Sequence, residues 1–287
     1  MHIDGKTQIL GIIGNPISHT ASPNMQMAGF DALKLNYVYL PFLVQEAELP
    51  NAIAAIKALN IKGINVTVPY KEKVIPYLDE LDASAVIMQA VNTIVNRGGK
   101  LIGYNTDGDG FIYDLVIKNK ISLSNKVVTV IGAGGAAKAI AFSLIKYNLK
   151  ELILLNRTKM RLIELKSMLE AKTKIKINFQ TLASTDLKDY LSRSDIIINT
   201  TSLGMAPNTS ETPIYDFSFV RKQQVFYDII YKPALTYFLK QAQERDATIL
   251  NGLGMLLGQG VLAFKLFTNC DPPVGIMKNA LTKIFKV

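Results

Sequence analysis

The sequence predicts an α/β protein with two domains, and three observations support this. Its 287 residues exceed the length that one hydrophobic core usually organises. Short runs rich in β-forming residues alternate with segments of helical periodicity, a pattern typical of parallel βαβ units. This alternation occurs in two series, which are separated by a Gly- and Asp-rich turn near Asn105–Asp109. Each series therefore predicts one domain.

The first series predicts an N-terminal α/β domain with a mainly parallel sheet. Its predicted elements are a strand at Ile9–Ile13, a helix at Ser22–Leu35, a strand at Tyr37–Leu43, a helix at Glu46–Leu59 and a strand at Gly63–Val68. Residues Val91–Tyr104 are then predicted to form two extended segments around Arg97-Gly98-Gly99, because adjacent glycines favour a tight hairpin turn.

The second series begins near Ser124 and again alternates strands with helices. Its predicted elements are a strand at Lys126–Ile131, a helix at Gly135–Tyr147, a strand at Glu151–Leu155, an amphipathic helix at Lys159–Leu169, buried strands at Asp195–Asn199 and Val225–Ile230, and helices at Ala234–Arg245 and Leu253–Phe267. Periodicity does not decide whether the residues after about Asn251 belong to the first or the second domain.

Composition and charge narrow the classes of function. Hydrophobic residues make up 49% and charged residues 19% of the chain, as in globular proteins with a sizeable core. The formal net charge is +9, but the lysines are scattered and no basic run of five occurs. This distribution argues against nucleic acid as a partner and fits small anionic ligands better.

The cysteine and histidine content and the N-terminal sequence indicate the cellular location and whether a metal site is expected. Cys270 is the one cysteine, so a disulfide within the chain is impossible and a reducing, cytoplasmic location is expected. No signal-peptide pattern and no apolar run of membrane-spanning length occur, so we expect no membrane partner. His2 and His19 form no spaced ligand cluster, so we expect no metal site. A monomer or a homodimer is expected.

A glycine-rich segment follows the first strand of the second series. Residues Gly132, Gly134 and Ala137 match the pattern G-x-G-x-x-G/A between a predicted strand and a predicted helix. The first glycine permits the turn, the second lets a pyrophosphate approach the backbone, and the small third residue lets helix and strand pack. The pyrophosphate then lies at the N-terminus of the helix. A tight structural turn would use the same glycines, but the flanking strand and helix favour a Rossmann-like dinucleotide site.

The residues after the next strand bear on which dinucleotide is bound. An NAD site usually places an acidic residue there, on the ribose. This chain has Asn156-Arg157-Thr158, followed by Arg161. An arginine can bind a 2′-phosphate through two hydrogen bonds, so the sequence predicts NADP; a solvated loop arginine is the alternative.

A second loop, Asn199–Met205, also follows a predicted strand of this half. Ligands of open parallel sheets collect at the carboxyl ends of the strands. The loop is therefore a candidate wall for the nicotinamide, although a plain strand-to-loop turn explains it nearly as well.

Polar residues of the first half suggest a second ligand. Ser22 is either the N-cap of the first helix, with Pro23 at its first position, or part of an anion site there. Asn65 and Thr67 share one face of a predicted buried strand, where polar groups need partners or a ligand.

Lys71 and Asp107 form a candidate pair for proton transfer. Lys71 follows the carboxyl end of the strand that carries Asn65, and a surface lysine is the alternative. Asp107 either caps the following helix or orients the Lys71 ammonium, since each charge would shift the pKa of the other.

Taken in order, these segments resemble the shikimate dehydrogenase family. The motifs that carry the resemblance are Gly14-Asn15-Pro16-Ile17-Ser18-His19 with Ser22-Pro23, Asn65-Val66-Thr67-Val68-Pro69-Tyr70-Lys71, Ala90-Val91-Asn92-Thr93, Asn105-Thr106-Asp107-Gly108, Gly132–Ala136, Asn156-Arg157-Thr158, and Gly252-Leu253-Gly254-Met255-Leu256 with Gln259. The resemblance covers nearly the whole chain, and the shared order of many motifs makes it specific.

The resemblance implies a reversible, NADPH-dependent reduction of 3-dehydroshikimate to shikimate, a step of chorismate and aromatic amino-acid biosynthesis. It implies a substrate domain formed by residues 1–106 and 251–287, and a Rossmann-like NADP domain formed by residues 107–250, with the active site in the cleft. Lys71 and Asp107 would be the catalytic pair. The implied substrate-binding residues are Asn65, Thr67, Asn92 and Gln259 for the ring hydroxyls, and Thr20, Ser22 and Tyr231 for the carboxylate. The implied NADP-binding residues are Gly132, Ala133, Gly134, Gly135, Ala136, Asn156, Arg157, Thr158, Arg161, Thr201, Ser202, Met205, Gly252 and Met255.

One departure from the family pattern leaves the substrate open. The family usually has Ser-x-Ser before the proline, whereas this chain has Thr20-Ala21-Ser22. A quinate or dual quinate/shikimate dehydrogenase is therefore the alternative enzyme. A binding protein without activity is a further class, against which the presence of both Lys71 and Asp107 argues.

Overall fold

The structure is a computed structural model that describes residues 3–285. It divides into two compact units. The first unit runs to Gly110 and resumes at Leu257, and the second unit comprises Phe111–Leu256.

The regular elements in the first part of the chain are, in order, β1 (Gln8–Gly14), α1 (Ser22–Ala32), β2 (Tyr37–Leu43), α2 (Leu49–Ala58), β3 (Gly63–Val66), β4 (Glu80–Leu81), α3 (Ala83–Met88), β5 (Thr93–Arg97), β6 (Lys100–Tyr104) and α4 (Asp107–Ile112). A π-helical segment, Tyr113–Lys118, follows α4 directly. The remaining elements are β7 (Val127–Ile131), α5 (Gly135–Leu144), β8 (Glu151–Asn156), α6 (Lys159–Glu170), β9 (Ile177–Thr181), α7 (Leu187–Ser192), β10 (Ile196–Asn199), β11 (Val225–Asp228), α8 (Tyr237–Gln243), β12 (Thr248–Asn251), α9 (Leu253–Thr268) and α10 (Val274–Phe285).

The sheet of the first unit has the strand order β2-β1-β3-β5-β6-β4. The pairs β1–β2, β1–β3 and β4–β6 are parallel, whereas β5 runs antiparallel to both β3 and β6. The antiparallel pair β5–β6 is the predicted hairpin, and its turn residues Gly98 and Gly99 have φ of 62° and 90°. Such positive values suit glycine, which explains why this turn could be predicted.

Strand β3 is shorter than predicted, since it ends at Val66 and not at Val68. Pro69 has no backbone N–H to continue a ladder, and the N–H of Tyr70 donates to the carbonyl of Thr67 at 3.0 Å. The chain therefore turns at this point, and Thr67 lies just beyond the strand. Side chains of Ile13, Ile53 and Ile64 form the apolar core beneath this sheet.

The sheet of the second unit has the strand order β12-β11-β10-β7-β8-β9, and every pair in it is parallel. Counted from β7, this is the order 3-2-1-4-5-6 of the doubly wound dinucleotide-binding fold. The strand order reverses between β7 and β10, so the loops that follow these two strands flank the usual ligand position of such sheets.

Several helices are shorter than predicted, and each has a local cause. Helix α1 ends at Ala32, just before Lys34 adopts φ of 53°, a left-handed conformation that closes helices. Helix α8 begins at Tyr237, because the Thr236 side chain accepts a hydrogen bond from the N–H of Leu239 and so caps it. The predicted helix at 46–59 divides into a 3₁₀ turn and α2, which begins just before Pro50.

No helix within residues 3–285 has both the length and the apolar character that crossing a membrane would require.

Candidate active site

Lys71 and Asp107 form an ion pair in the first unit. The Lys71 Nζ lies 2.5 Å from Asp107 Oδ2. Lys71 follows the turn after β3, and Asp107 is the first residue of α4. The Asp107 side chain is 9% exposed and the Lys71 side chain 27%, so the ammonium is the member of the pair that a ligand can reach. The structure thus brings together the two residues predicted as a proton-transfer pair.

Asn92 holds the other oxygen of the Asp107 carboxylate. Its side-chain nitrogen donates to Asp107 Oδ1 at 2.8 Å and to Thr106 Oγ1 at 3.0 Å, and its side-chain oxygen accepts from the N–H of Thr106 at 2.9 Å. Asn92 is buried. Both oxygens of Asp107 are therefore bound, and the orientation of the carboxylate toward Lys71 is defined from two sides.

Asn65 lies next in the same polar network. It donates to the carbonyl of Asn92 at 3.1 Å and to Thr93 Oγ1 at 2.9 Å, and its side-chain oxygen accepts from the Tyr39 hydroxyl at 2.7 Å. Both amide hydrogens of Asn65 are thus used within the protein. A substrate hydroxyl could interact only with the remaining lone pair of its Oδ1.

Tyr39 connects Asn65 to the start of α1. Burial raises the pKa of Tyr39 well above its usual value, and a hydrogen bond with the Ser22 side chain opposes that rise. Thr20 accepts a hydrogen bond from the N–H of Ser22 at 3.3 Å. Two residues predicted to bind a carboxylate therefore lie at one end of the network that contains Lys71.

The N-cap role considered for Ser22 is wrong. Helix α1 begins at Ser22, and Ala21 occupies the N-cap position without a side-chain hydrogen bond. Ser22 is buried, because its side chain interacts with Tyr39 of the neighbouring strand β2 and not with the first turn of its own helix.

Thr67 and Gln259 complete the predicted substrate residues of the first unit. The Thr67 hydroxyl makes no hydrogen bond with any residue in the range 3–285, so it is available to a ligand. The carbonyl of Gln259 accepts from Thr106 Oγ1 at 3.2 Å. A Cβ on Gly110 would lie 2.5 Å from the nitrogen of Gln259, so α4 and α9 approach closely there and place Gln259 beside the Asp107 segment.

The glycine-rich loop of the second unit, residues 132–136, has the features that a bound pyrophosphate needs. Gly132 has φ of 121°, and its N–H donates to the carbonyl of Leu155 at 2.7 Å. Gly134 precedes the first turn of α5, where backbone N–H groups have no partner within the helix. A Cβ on Gly134 or Gly135 would meet no heavy atom within 4 Å. The space before the helix N-terminus is therefore open, and the loop residues, which include Ala133 and Ala136, fit a dinucleotide.

The predicted 2′-phosphate residues follow the adjacent strand. Asn156 is the last residue of β8, and its side chain donates to the carbonyl of Thr158 at 3.2 Å. Arg157 and Thr158 are exposed, and so is Arg161 in the first turn of α6. Because β8 neighbours β7, these residues lie beside the glycine-rich loop. Two exposed guanidinium groups at this position fit the 2′-phosphate of NADP.

The loop 199–205 flanks the glycine-rich loop on the other side. The Thr200 hydroxyl donates to the carbonyl of Ile131 at 2.7 Å, and a Cβ on Gly132 would lie 2.3 Å from that hydroxyl. Thr201 is partly buried, whereas Ser202 and Met205 are exposed. The predicted nicotinamide wall thus begins in direct contact with the predicted pyrophosphate loop.

The remaining predicted residues of the second unit lie near the end of β11. The N–H of Gly252 donates to the carbonyl of Ile230 at 3.1 Å. The backbone of Met255 forms a hydrogen bond with the Tyr227 hydroxyl. Burial raises the pKa of Tyr231, which lies in the loop after β11.

Tyr39 and Asp228 were not identified from the sequence, and Asn199 was identified only as the first residue of the loop 199–205. Asn199 and Asp228 end the adjacent strands β10 and β11 in register with each other, and Asn199 Nδ2 donates to Asp228 Oδ1 at 3.1 Å. A polar residue that ends each of two apolar strands was a signal that could have revealed this pair. Tyr39 had no such signal, because its partner Asn65 is 26 positions away.

The described residues contain no group of three His, Cys, Asp or Glu side chains arranged to hold a metal ion. His19 is exposed in the turn before α1, and His2 lies outside the described residues.

Three family models match the chain. The shikimate dehydrogenase substrate binding domain matches residues 12–94, shikimate / quinate 5-dehydrogenase matches residues 114–229, and the shikimate 5′-dehydrogenase C-terminal domain matches residues 252–282. Together they span both units.

Similar proteins cover nearly the full chain. The NADP(+) shikimate dehydrogenase of Carboxydothermus hydrogenoformans is 47% identical, over 98% of this chain and 99% of its own. A solved shikimate dehydrogenase in complex with NADP+ is 40% identical with a TM-score of 0.91, over 99% of this chain and 98% of its own. Shikimate 5-dehydrogenase from Listeria monocytogenes, in complex with shikimate and NAD, is 35% identical with a TM-score of 0.91, over 97% and 98%. These matches confirm the predicted α/β fold class and the resemblance of the motifs: the chain belongs to the shikimate dehydrogenase family.

Proposed function

We propose that this chain catalyses the reversible NADPH-dependent reduction of 3-dehydroshikimate to shikimate. The relatives named NADP(+) shikimate dehydrogenase confirm the predicted enzyme class and the predicted cofactor. Within the chain, the single observation that carries the proposal is the Lys71–Asp107 ion pair of 2.5 Å, held from its far side by Asn92.

Lys71 is proposed to move the proton. NADPH, when bound, supplies a hydride to the ring carbonyl. The Lys71 ammonium donates a proton to the carbonyl oxygen as that oxygen becomes a hydroxyl, and in the reverse direction the Lys71 amine accepts it. Asp107 orients the ammonium, because its carboxylate accepts a hydrogen bond from Asn92 and its backbone N–H donates to the Asn105 side chain.

The substrate residues are proposed to act in two groups. Thr20 and Ser22 at the start of α1, together with Tyr231, hold the carboxylate. Asn65, Thr67, Asn92 and Gln259 hold the ring hydroxyls. The free hydroxyl of Thr67 and the central position of Asn92 support this assignment.

The second unit is proposed to bind NADP. The glycine-rich loop binds the pyrophosphate. The adenosine with its 2′-phosphate is bound by Asn156, Arg157, Thr158 and Arg161. The nicotinamide is contacted by Thr201, Ser202, Met205, Gly252 and Met255.

The domain bounds expected from the sequence, residues 1–106 with 251–287 and residues 107–250, stay a prediction. We further propose a cytoplasmic enzyme with small-molecule ligands only, as a monomer or a homodimer.

The test is a turnover assay with matched lysine variants. The purified protein is assayed with shikimate and with quinate, each against NADP and NAD, by NADPH absorbance. Lys71→Met should lower kcat by about 10²–10⁴-fold with little change in KM, since a general acid–base group contributes that much. Lys73→Met is the control, because Lys73 pairs with Glu46 on the surface. A normal kcat with a raised KM in Lys71→Met would show that the lysine only binds the substrate. A higher turnover with quinate than with shikimate would identify quinate as the substrate.

A further inference from the structure

A buried carboxylate of the second unit, Asp228, takes no part in the proposed chemistry. It ends strand β11 and is 0% exposed. Its Oδ1 accepts from Asn199 Nδ2 at 3.1 Å and from the N–H of Ile230 at 3.0 Å, and its Oδ2 accepts from the Thr236 hydroxyl at 2.7 Å. One side chain thus connects three separate segments.

The first connection leads to the loop 199–205. The Asn199 side-chain oxygen accepts from the N–H of Thr201 at 3.0 Å and from the Thr201 hydroxyl at 2.8 Å. The nitrogen of the same side-chain amide donates to Asp228. These bonds therefore define the orientation of the Asn199 amide. Thr200, the next residue, packs against Gly132 of the glycine-rich loop. Asn199 therefore orients the start of the loop 199–205 at a point close to the proposed cofactor.

The second connection leads to Gly252. The bond from Ile230 to Asp228 shapes the turn after β11, and the carbonyl of Ile230 accepts from the N–H of Gly252. A Cβ on Gly252 would lie 1.9 Å from the carbonyl oxygen of Ile229. The backbone of Gly252 is therefore pressed against a turn whose shape depends on Asp228.

The third connection anchors the carboxylate to a rigid element. Thr236 caps α8 by accepting from the N–H of Leu239, and Phe238 and Leu239 of that helix are buried in the core of the second unit. The Asp228 carboxylate thus links a packed helix to the loop 199–205 and to the turn after β11.

The surroundings of Asp228 are costly for a carboxylate. Its hydrogen-bond partners are all neutral, and burial raises its pKa to about 6. A buried carboxylate that lacks a cation as partner contributes little to stability in return for its desolvation. A role in placing the surrounding segments accounts for its presence better than a role in stability does.

We propose that Asp228 is a positioning residue for the nicotinamide half of the cofactor site. Its carboxylate holds the loop 199–205 through Asn199 and holds Gly252 through the turn at Ile230. This inference rests on the proposed function to the extent that NADP binds the second unit.

Four variants separate positioning from general stability. Asp228→Ala removes all three hydrogen bonds. Asp228→Asn keeps an oxygen toward Asn199 and Ile230 and changes only the contact with Thr236. Asn199→Ala removes the amide group that joins Asp228 to Thr201 and leaves the bonds of Asp228 to Ile230 and Thr236 in place, so it serves where Asp228→Ala does not fold. Asp195→Ala is the matched control, because Asp195 precedes the amino end of β10 and binds the N–H of Val127 there.

Two readouts are measured: the NADPH dissociation constant by fluorescence titration, and hydrogen exchange of the ligand-free protein. Asp228→Ala and Asn199→Ala should raise the dissociation constant about tenfold, the order expected for a lost charged hydrogen bond, and should speed exchange at Thr201 and Leu203. Asp228→Asn should stay within about threefold of the parent. Asp195→Ala should leave NADPH affinity unchanged even where its melting temperature falls.

Two results would overturn the inference. One is a folded Asp228→Ala or Asn199→Ala protein with parental NADPH affinity. The other is an equal loss of affinity in Asp195→Ala, which would reduce Asp228 to a general stabilising residue. The failure of the proposed function looks different: the parent protein would bind NADPH without turning over shikimate, or would not bind NADPH at all.

Discussion

At the scale of single residues, the Tyr39 hydroxyl joins the two ends of the proposed substrate site. Tyr39→Phe removes that hydroxyl, so Asn65 Oδ1 loses the donor that lies 2.7 Å away. We expect the KM for shikimate to rise and the free energy of unfolding to fall by about 1–3 kcal/mol, the cost of a buried group left unpaired. The KM for NADP should change much less. Tyr37→Phe on the same strand is the control, and equal effects of both changes would contradict a role for Tyr39 in substrate binding.

Arg157 is expected to select NADP over NAD. Its guanidinium is exposed in the loop after β8, where it can bind the 2′-phosphate. Arg157→Ala should lower the preference for NADP by roughly 10- to 150-fold, the equivalent of a charged hydrogen bond. Steady-state assays with both cofactors measure this. The KM for NAD should stay nearly constant, and parallel losses with both cofactors would show that the arginine has a structural role.

Asp228 should make stability depend on pH. Burial raises its pKa from 3.8 to about 6, so the folded protein binds this proton more tightly than the unfolded chain. Its contribution to folding is therefore most favourable below about pH 4 and is lost as the pH rises through 6. Asp228→Asn cannot titrate, so its stability relative to the parent should improve between pH 4 and pH 7, by up to about 3 kcal/mol. Urea unfolding of both proteins at the two pH values measures the difference, and a change of opposite sign would place the pKa below its usual value.

At the scale of elements, periodicity predicted the most apolar strands and most of the longer helices, but it missed several short elements and gave no bounds for the C-terminal helix α10. Strands β7, β8 and β10 are mostly apolar and buried in a parallel sheet, so their sequences are distinctive. Helices α3 and α7 have six residues each, too few for a helical period to repeat. The edge strand β9, INFQT, mixes polar and apolar residues, and only its pairing with β8 identifies it.

The residues of the proposed site also fall into those that a local sequence pattern revealed and those that it did not. Lys71, Asp107 and the glycine-rich loop lie in local motifs, so the sequence alone pointed to them. Tyr39 and Asp228 act through partners that are distant in the chain or on the adjacent strand. Such partners depend on strand order and register, which no local pattern contains.

The close approach of α4 and α9 leads to a prediction about packing. A Cβ on Gly110 would lie 2.5 Å from the backbone nitrogen of Gln259, and backbone cannot move aside as a side chain can. Gly110→Ala should destabilise the protein by about 1–3 kcal/mol and raise the KM for shikimate, since the Thr106–Gln259 contact lies beside it. Thermal unfolding and steady-state kinetics measure the two effects. Gly5→Ala, with no heavy atom within 4 Å of the added Cβ, is the control and should change neither.

At the scale of the whole molecule, the two ligands should protect different parts of the chain from hydrogen exchange. NADP+ should slow exchange at residues 132–138, 156–161 and 199–205, because these loops follow neighbouring strands of the second sheet. Shikimate should slow exchange at residues 20–22, 65–71 and 104–107 of the first unit. Mass spectrometry of peptides with each ligand alone tests this, and protection of the first unit by NADP+ alone would contradict the assignment.

The exposure of Arg157 and Arg161 has a consequence for how this enzyme can evolve. Within residues 3–285 neither guanidinium bonds to another side chain or to the backbone. Substituting them removes no interaction that folds the protein, and exposed positions of this kind tolerate change within about 0.5 kcal/mol. Under the proposed assignment, the choice between NADP and NAD is encoded in side chains that selection can exchange without first acquiring compensating mutations. The Lys71–Asp107 pair, proposed to transfer the proton, is by contrast part of a hydrogen-bonded network with Asn92 and Thr106, in which a change at one position disturbs several others.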